Sequence, residues 1–344
     1  MYAIDDAGAS LASPHPVSRD LAGNYSLQYF KGYRDAVNQL CDKLIGRDTD
    51  LAAEGLAPIT GEIENTWGLQ VTRVPASQFG GKGIRVCVLD TGMDESHPDF
   101  AGRHIVSQSF VAGQAVQDGN GHGTHCIGTA CGPRQPGLLP RHGVASDSDI
   151  YAGKVLSNQG SGGDAGILAG IQWALTNKCE IISMSLGASV QPGQSYSQIF
   201  EQVAARALAA GSVIIAAAGN DSRRPSTIIP VSHPANCPSI MAVGAIDRHF
   251  QIAYFSCGGI NPQGGQVDIV GPGVDVRSSW PRPTLYNTIS GTSMATPHVA
   301  GIAALWAESN RTYRGRALLN ILTQSARRLT LAAADIGAGL VQAP

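Results

Sequence analysis

The chain has 344 residues, 43% of them hydrophobic and 15% charged. That balance is globular, with enough length for one large core plus an extension or for two modest domains. Lys and Arg number 24 against 26 Asp and Glu, so no basic field favours nucleic acid and no acidic one favours a cationic partner.

No apolar run approaches the ~18 residues of a membrane span. The N-terminus, "MYAIDDAGASLASPHPVSRD", carries Asp5 and Asp6 where a secretory leader has Lys or Arg, and it has no apolar centre. Two readings stay open: the protein acts inside the cell, or a leader is missing from the sequence. Further on, Phe30, Tyr33, Val37, Cys41 and Leu44 fall at helical spacing, followed by the polar, Gly- and Pro-containing "GRDTDLAAEGLAPITGE". Residues 1–66 therefore read as an extension, with a plain packing helix as the blander alternative, and 67–344 as the main domain.

From Ile84 onward, short β-branched runs alternate with helical patterns. The runs cover 84–90, 149–156, 180–186, 212–220, 239–245 and 267–273, and several are apolar on consecutive positions, as in strands buried on both faces. Between them, Ile167, Ile171, Ala174 and Leu175 mark one helix face, and Ile199, Val203 and Ala207 another that ends at Gly211. Strand, helix, strand in succession predicts a three-layer α/β fold, with a mostly parallel central sheet and helices on both faces. The seven cysteines are an odd number in a chain too large to need a disulfide framework. Cys87 and Cys126 read as buried thiols, and a Cys237–Cys257 pair stays open.

Functional groups collect at the carboxyl ends of strands in such sheets. The first run ends in "VLDTG", which places Asp90 there; the bland alternative is an ordinary turn residue. In "GNGHGTHCIGTACG", His122 is bracketed by Gly121 and Gly123, with His125, Cys126 and Cys131 close behind. A zinc site on His122, His125 and Cys126 is a rival reading, although the spacing matches none of the usual structural zinc patterns. In "TISGTSMATPHVAGIAALWAES", Ser293 stands at the start of a long apolar helix, near exposed backbone N–H groups. Its bland role is an N-cap, and Pro297 is expected within the helix's first turn. The order Asp90, His122, Ser293 shifts the balance. Serine catalysis needs a base for the hydroxyl proton and a carboxylate to orient that base. An α/β-hydrolase would run Ser, Asp, His with a G-x-S-x-G motif, whereas the motif here is Gly291-Thr292-Ser293-Met294-Ala295.

Together "VLDTG", "DGNGHGTHCIGTA" and "ISGTSMATPHVAGIAAL" resemble the signature blocks of the subtilisin-like serine peptidases, over roughly residues 67–344. "GHGTHC" with "SGTSMATPHVAG" is especially similar to the proteinase K branch. The resemblance implies a subtilisin-like fold and a serine endopeptidase of broad specificity, acting through an acyl-enzyme on Ser293. Asp90 would orient His122, the general base and acid, and Asn220 would donate to the oxyanion alongside the Ser293 backbone N–H. Gly160-Ser161-Gly162 and Ser185-Leu186-Gly187 match edges that clamp an extended peptide by main-chain hydrogen bonds. Ala217, Ala218 and Gly219 would line the P1 pocket with Ser232 near its floor; small uncharged residues there imply apolar or aromatic P1 side chains. Asp164 falls near the P4 position and would favour a basic or polar residue. Asp268, with the carbonyls of Pro238 and Ile240, matches a structural Ca²⁺ site. Asp99 matches a second, whose completing loop here reads "CGPRQPGLLPRHGVA" and lacks the expected asparagine. His233-Pro234 matches a cis-proline, and 1–66 sits where the family keeps its pro-segment, here a vestigial one or a tether. The expected partners are polypeptide substrates, with neither nucleic acid nor membrane, and the protein is expected to be a monomer.

Overall fold

The computed structural model describes residues 2–3, 62–261 and 264–344; the helical pattern over Phe30 to Leu44 lies outside them. The first elements are β1 (Tyr2–Ala3), α1 (Trp67–Val71), β2 (Arg85–Asp90), β3 (Ile105–Ser109), α2 (His122–Cys131) and β4 (Asp149–Lys154). Then come β5 (Ser161–Gly162), α3 (Asp164–Thr176), β6 (Ile181–Met184), α4 (Gln198–Ala209), β7 (Val213–Ala217) and β8 (Met241–Ile246). The chain ends with β9 (Ile269–Pro272), β10 (Val276–Trp280), β11 (Leu285–Ile289), α5 (Thr292–Ser309), α6 (Arg316–Gln324) and α7 (Ala333–Ile336).

The central sheet runs β3-β4-β2-β6-β7-β8-β9, with every pairing parallel. Alternation along its strands serves two helical layers. Val86 and Val88 of β2 share a core with Cys126, Ile127 and Ala130 of α2 and with Val299, Ile302 and Ala303 of α5. Leu89, on the opposite face, lies against Gly170 of α3. All six apolar runs contain strands of this sheet. The edge strand β3 and the antiparallel hairpin β10–β11 were not predicted, because three of the five residues in each of "IVSQS" and "VRSSW" are polar, although Ser278 and Ser279 are buried.

Two expectations change, and one pairing left open is decided. In α4 the buried positions are Phe200, Ala204 and Ala207, while Ile199 is 63% exposed. The face is rotated because the Phe200 ring packs edge-on against His233, centroids 4.6 Å apart. Pro297 is the sixth residue of α5, beyond the first turn, so its missing N–H leaves the Ser293 carbonyl without its helical partner. Cys237 and Cys257 are both free thiols, buried like Cys87 and Cys126. The His233–Pro234 bond is cis, as expected.

Candidate active site

Asp90 ends β2 and His122 opens α2, and both are buried. His122 Nδ1 lies 2.7 Å from Asp90 Oδ1, which also accepts the Thr91 N–H at 2.7 Å. His122 Nε2 and Asp90 Oδ2 are buried and make no hydrogen bond among the described residues. The flanking glycines permit this approach. Gly121, at φ +110°, has the Trp280 ring where a Cβ would be, and Gly123 sits against the Gly92 backbone. Asp118, unremarked in the sequence, organises the loop. Its Oδ1 accepts from Thr91 Oγ1 and from the N–H groups of Asn120 and Gly121 at 2.8–3.0 Å. Its Oδ2 accepts from the N–H and hydroxyl of Thr124 at 2.8 and 2.7 Å. Thr91 Oγ1 in turn accepts the Gly123 N–H at 2.8 Å, tying the turn after β2 to the start of α2.

Ser293 is the second residue of α5; the N-cap is Gly291, with no side-chain capping bond. Ser293 is thus not a cap, and its N–H belongs to the first helical turn, which has no intrahelical acceptor. Its Oγ reaches the Ser185 carbonyl at 3.4 Å, long for a hydroxyl bond. In return Ser185 Oγ donates to the Ser293 carbonyl at 2.8 Å, the oxygen that Pro297 leaves unbonded. Cys126 Sγ bridges the two halves of the site, 3.8 Å from His122 Nδ1 and 3.6 Å from the Ser293 carbonyl. Asn220 Oδ1 accepts from both the N–H and the Oγ1 of Thr292, each at 2.9 Å, so the donor end of the amide is Nδ2. Thr292 Oγ1 also accepts the Gly219 N–H at 3.2 Å. Nothing in the sequence singled out Thr292 as the clamp on Asn220.

Burial disfavours a charged imidazole at His122, but the Asp90 carboxylate outweighs it and holds the pKa well above the ordinary histidine value. Burial also pushes the Cys126 thiol up, so it stays neutral and adds no charge. Asp90, His122 and Cys126 bring ligand atoms within 4.8 Å of one another, yet the geometry opposes a metal. A 2.7 Å separation of Nδ1 and Oδ1 is a hydrogen bond, too short to admit an ion between them. His125 is turned away: its Nε2 bonds the Val276 carbonyl at 3.0 Å, and burial takes its pKa down to about 3.

Leu186, Gly187, Ala217, Gly219 and Ser232 line a cavity shared with Asn220 and Ser293. Ala218 is fully buried and spends its backbone on Val243 and Ser232. The pocket is not uncharged, since Asp221 also lines it. Ala188 and His233 exchange backbone bonds of 2.8 and 2.9 Å behind its wall. On the other side, β5, following Gly160, pairs antiparallel with the chain's own β1, Tyr2 opposite Gly162 and Ala3 opposite Ser161. Asp164 is exposed at the start of α3.

The two expected cation positions differ. Asp268, Pro238 and Ile240 line one cavity together with Asn236. Asp268 Oδ2 accepts the Ala242 N–H at 2.7 Å, burial pushes its carboxyl up to about 6, and Asn236 Oδ1 is buried with no hydrogen bond among the described residues. Oxygen donors short of hydrogen bonds around a buried carboxylate fit a hard cation. Asp99 does not fit one. Its Oδ1 accepts from Gly137 N–H at 3.1 Å and Tyr286 hydroxyl at 2.9 Å, and its Oδ2 accepts from Ser279 Oγ at 2.8 Å. His142 Nε2 stands 3.4 Å from the same Oδ2, so the chain's own donors take the positions a cation would need.

The subtilase family model matches residues 81–339. Subtilisin DY of Bacillus licheniformis is 38% identical over 263 residues, 76% of this chain and 90% of that protein. Subtilisin Savinase of Lederbergia lenta is 39% identical over 283 residues, 80% of this chain and 96% of its own. Among solved structures, sphericase superposes with a TM-score of 0.70 at 31% identity, covering 82% of this chain and 99% of that one. With this sheet, these helix starts and these relatives, the chain belongs to the subtilase family and is a serine endopeptidase.

Proposed function

We propose that Ser293 is the nucleophile of an endopeptidase that passes through an acyl-enzyme. In this reading Ser293 Oγ attacks the scissile carbonyl as His122 Nε2 takes its proton, and the imidazolium then protonates the leaving amine. Asp90 fixes the tautomer. With Nδ1 donating to the carboxylate, Nε2 carries the lone pair. Water attacks the ester in the second half, with His122 again as base. Asn220 Nδ2 and the Ser293 N–H receive the oxyanion in each tetrahedral intermediate. The observation that carries this reading is the buried His122 ring, held by Asp90 at 2.7 Å on one nitrogen and unbonded among the described residues on the other.

Peptide substrates would lie as an extended strand between Gly160–Gly162 and Ser185–Gly187, and the pairing of β1 with β5 supports an edge that accepts an antiparallel strand. We read residues 1–66 as a pro-segment or tether whose first residues compete for that edge. The small wall residues favour apolar or aromatic P1 side chains. Asp221 adds a place for a P1 lysine, whose methylenes stay on the wall while the ammonium meets the carboxylate. Asp164 would favour a basic P4. Calcium would be held by Asp268 with the carbonyls of Pro238 and Ile240, stabilising the fold and taking no part in the chemistry. Polypeptides are the partner, and the enzyme acts as a monomer.

A sulfonyl fluoride should abolish casein hydrolysis with one label, on Ser293, and Ser293→Ala should lose the pre-steady-state burst on an ester substrate. Hydrolysis that survives full labelling of Ser293, or stops on metal removal with the fold intact, would overturn the reading.

A further inference from the structure

Among the buried charged residues that the mechanism above leaves unused is Lys154. Lys154 is 0% exposed, and an ammonium buried without an ion pair is expensive. It closes β4, where the strand register sets it directly beside Asp90. Its Nζ donates to the Thr91 carbonyl and, at 2.8 Å, to Asn158 Oδ1; among the described residues it forms no ion pair. Burial pulls its pKa below the ordinary lysine value, opposed by the nearby carboxylates of Asp118 and Asp90.

The surroundings explain why a cation is kept there. Thr91 is the hub: its N–H bonds Asp90, its hydroxyl bonds Asp118, and its carbonyl takes Lys154. Asp90 and Asp118 are both buried, and Asp90 Oδ2 makes no hydrogen bond among the described residues. Of the titratable groups around His122, Cys126 and His125 on α2 are neutral near pH 7 by burial, and α5 presents uncharged Ser293. The balance of charge therefore lies among Asp90 on β2, Asp118 in the loop before α2, and Lys154 on β4. Two buried carboxylates, Asp90 on the His122 ring and Asp118 on the Thr91 hydroxyl and the Gly121 N–H, together favour the protonated imidazole, and a protonated imidazole is no base.

We propose that Lys154 is a positioning residue for the catalytic base. Its buried charge balances Asp90 and Asp118 so that His122 can release its proton, and its bond to the Thr91 carbonyl steadies the turn that presents Asp90. The proposal rests on His122 acting as the general base.

The test uses the full chain with Lys154→Met and with Lys154→Gln, which keeps a donor for the Thr91 carbonyl. The pH dependence of kcat/KM is recorded on a chromogenic peptide. Removing the charge should move the acid limb up by about 0.8–1.5 pH units, the effect of one charge at roughly 8–15 Å in a medium of effective dielectric ~20. Activity on the acid side then falls about six- to thirtyfold further than on the plateau, and the His122 ring resonance in a Ser293→Ala background should titrate with the same shift. Adding Asp118→Asn to Lys154→Met should bring the limb back, which accumulated structural damage would not do. A uniform rate loss with an unmoved acid limb would overturn the proposal. So would loss of the cooperative thermal transition in both variants, which would assign Lys154 to folding alone. Insensitivity of the unmodified enzyme to sulfonyl fluoride would instead bring down the serine mechanism itself.

Discussion

Replacing Thr292 by Val tests how the oxyanion amide is held. The substitution preserves shape and the backbone N–H bond to Asn220 Oδ1, but removes the hydroxyl that bonds the same oxygen at 2.9 Å. It also leaves the Gly219 N–H without its 3.2 Å acceptor. A donor of the kind proposed for Asn220 is worth about 10²–10³ in kcat. One lost hydrogen bond is worth about 0.5–1.5 kcal/mol, and at about 1.4 kcal/mol per tenfold kcat should fall roughly two- to tenfold. KM should hardly move, because the oxyanion forms only after binding. The unsatisfied Gly219 N–H should lower Tm by a few degrees. Steady-state kinetics on a peptide anilide read the first effect, and Thr292→Ser, which keeps the hydroxyl, should restore it. In an Asn220→Ala background, Thr292→Val should cost little more, since the clamp then has nothing to hold. An equal loss in both backgrounds, or wild-type kcat in the single variant, would refute the coupling.

The acid limb of kcat/KM should lie above pH 6.5, because the base must be neutral and Asp90 raises its pKa; a limb below 6.5 would contradict the pairing. For the same reason the Asp90–His122 pair stabilises the fold fully below the unfolded histidine value and less as pH rises through the folded one, which a Tm-against-pH series on Ser293→Ala can follow. Calcium at about a hundred times its Kd should add ~2.7 kcal/mol, a Tm rise of roughly 5–10 °C; Asp268→Asn should abolish that rise while leaving kcat near wild type. Deleting residues 1–7 should free the edge at Ser161–Gly162 and lower KM for a peptide about three- to tenfold, the worth of one or two hydrogen bonds, with kcat unchanged; an unaltered KM would mean that the pairing does not compete with substrate. Asp221→Ser should reduce cleavage after lysine relative to phenylalanine, measured as a ratio of kcat/KM on matched substrates.

What could be read from the residues and what could not divide along a physical line. Asp90, His122 and Ser293 each stand where a strand ends or a helix begins. A backbone that presents a side chain at such a place needs particular neighbours: Gly121 and Gly123 where Trp280 and Gly92 press close, and Gly291 ahead of the helix. Those requirements are local, so they leave a pattern in consecutive residues, and the same holds for the apolar runs that became the central sheet. Asp118, Thr292 and Lys154 answer to a different demand. Each supplies a charge or a hydrogen bond to a group already in place, from a position fixed only when strands and loops meet. Lys154 sits inside "DIYAGKVL", where it reads as the polar end of a buried strand, and only its register beside Asp90 reveals its neighbour. Asp99 marks the limit of reading by resemblance. Its own motif is intact, but the donors now around it, from Gly137, Tyr286, Ser279 and His142, come from other parts of the chain and fill the room a cation would take. A ligand residue kept in its motif therefore does not establish a metal site; at Asp99 the chain's own donors fill the coordination, whereas at Asp268, the proposed calcium position, they do not.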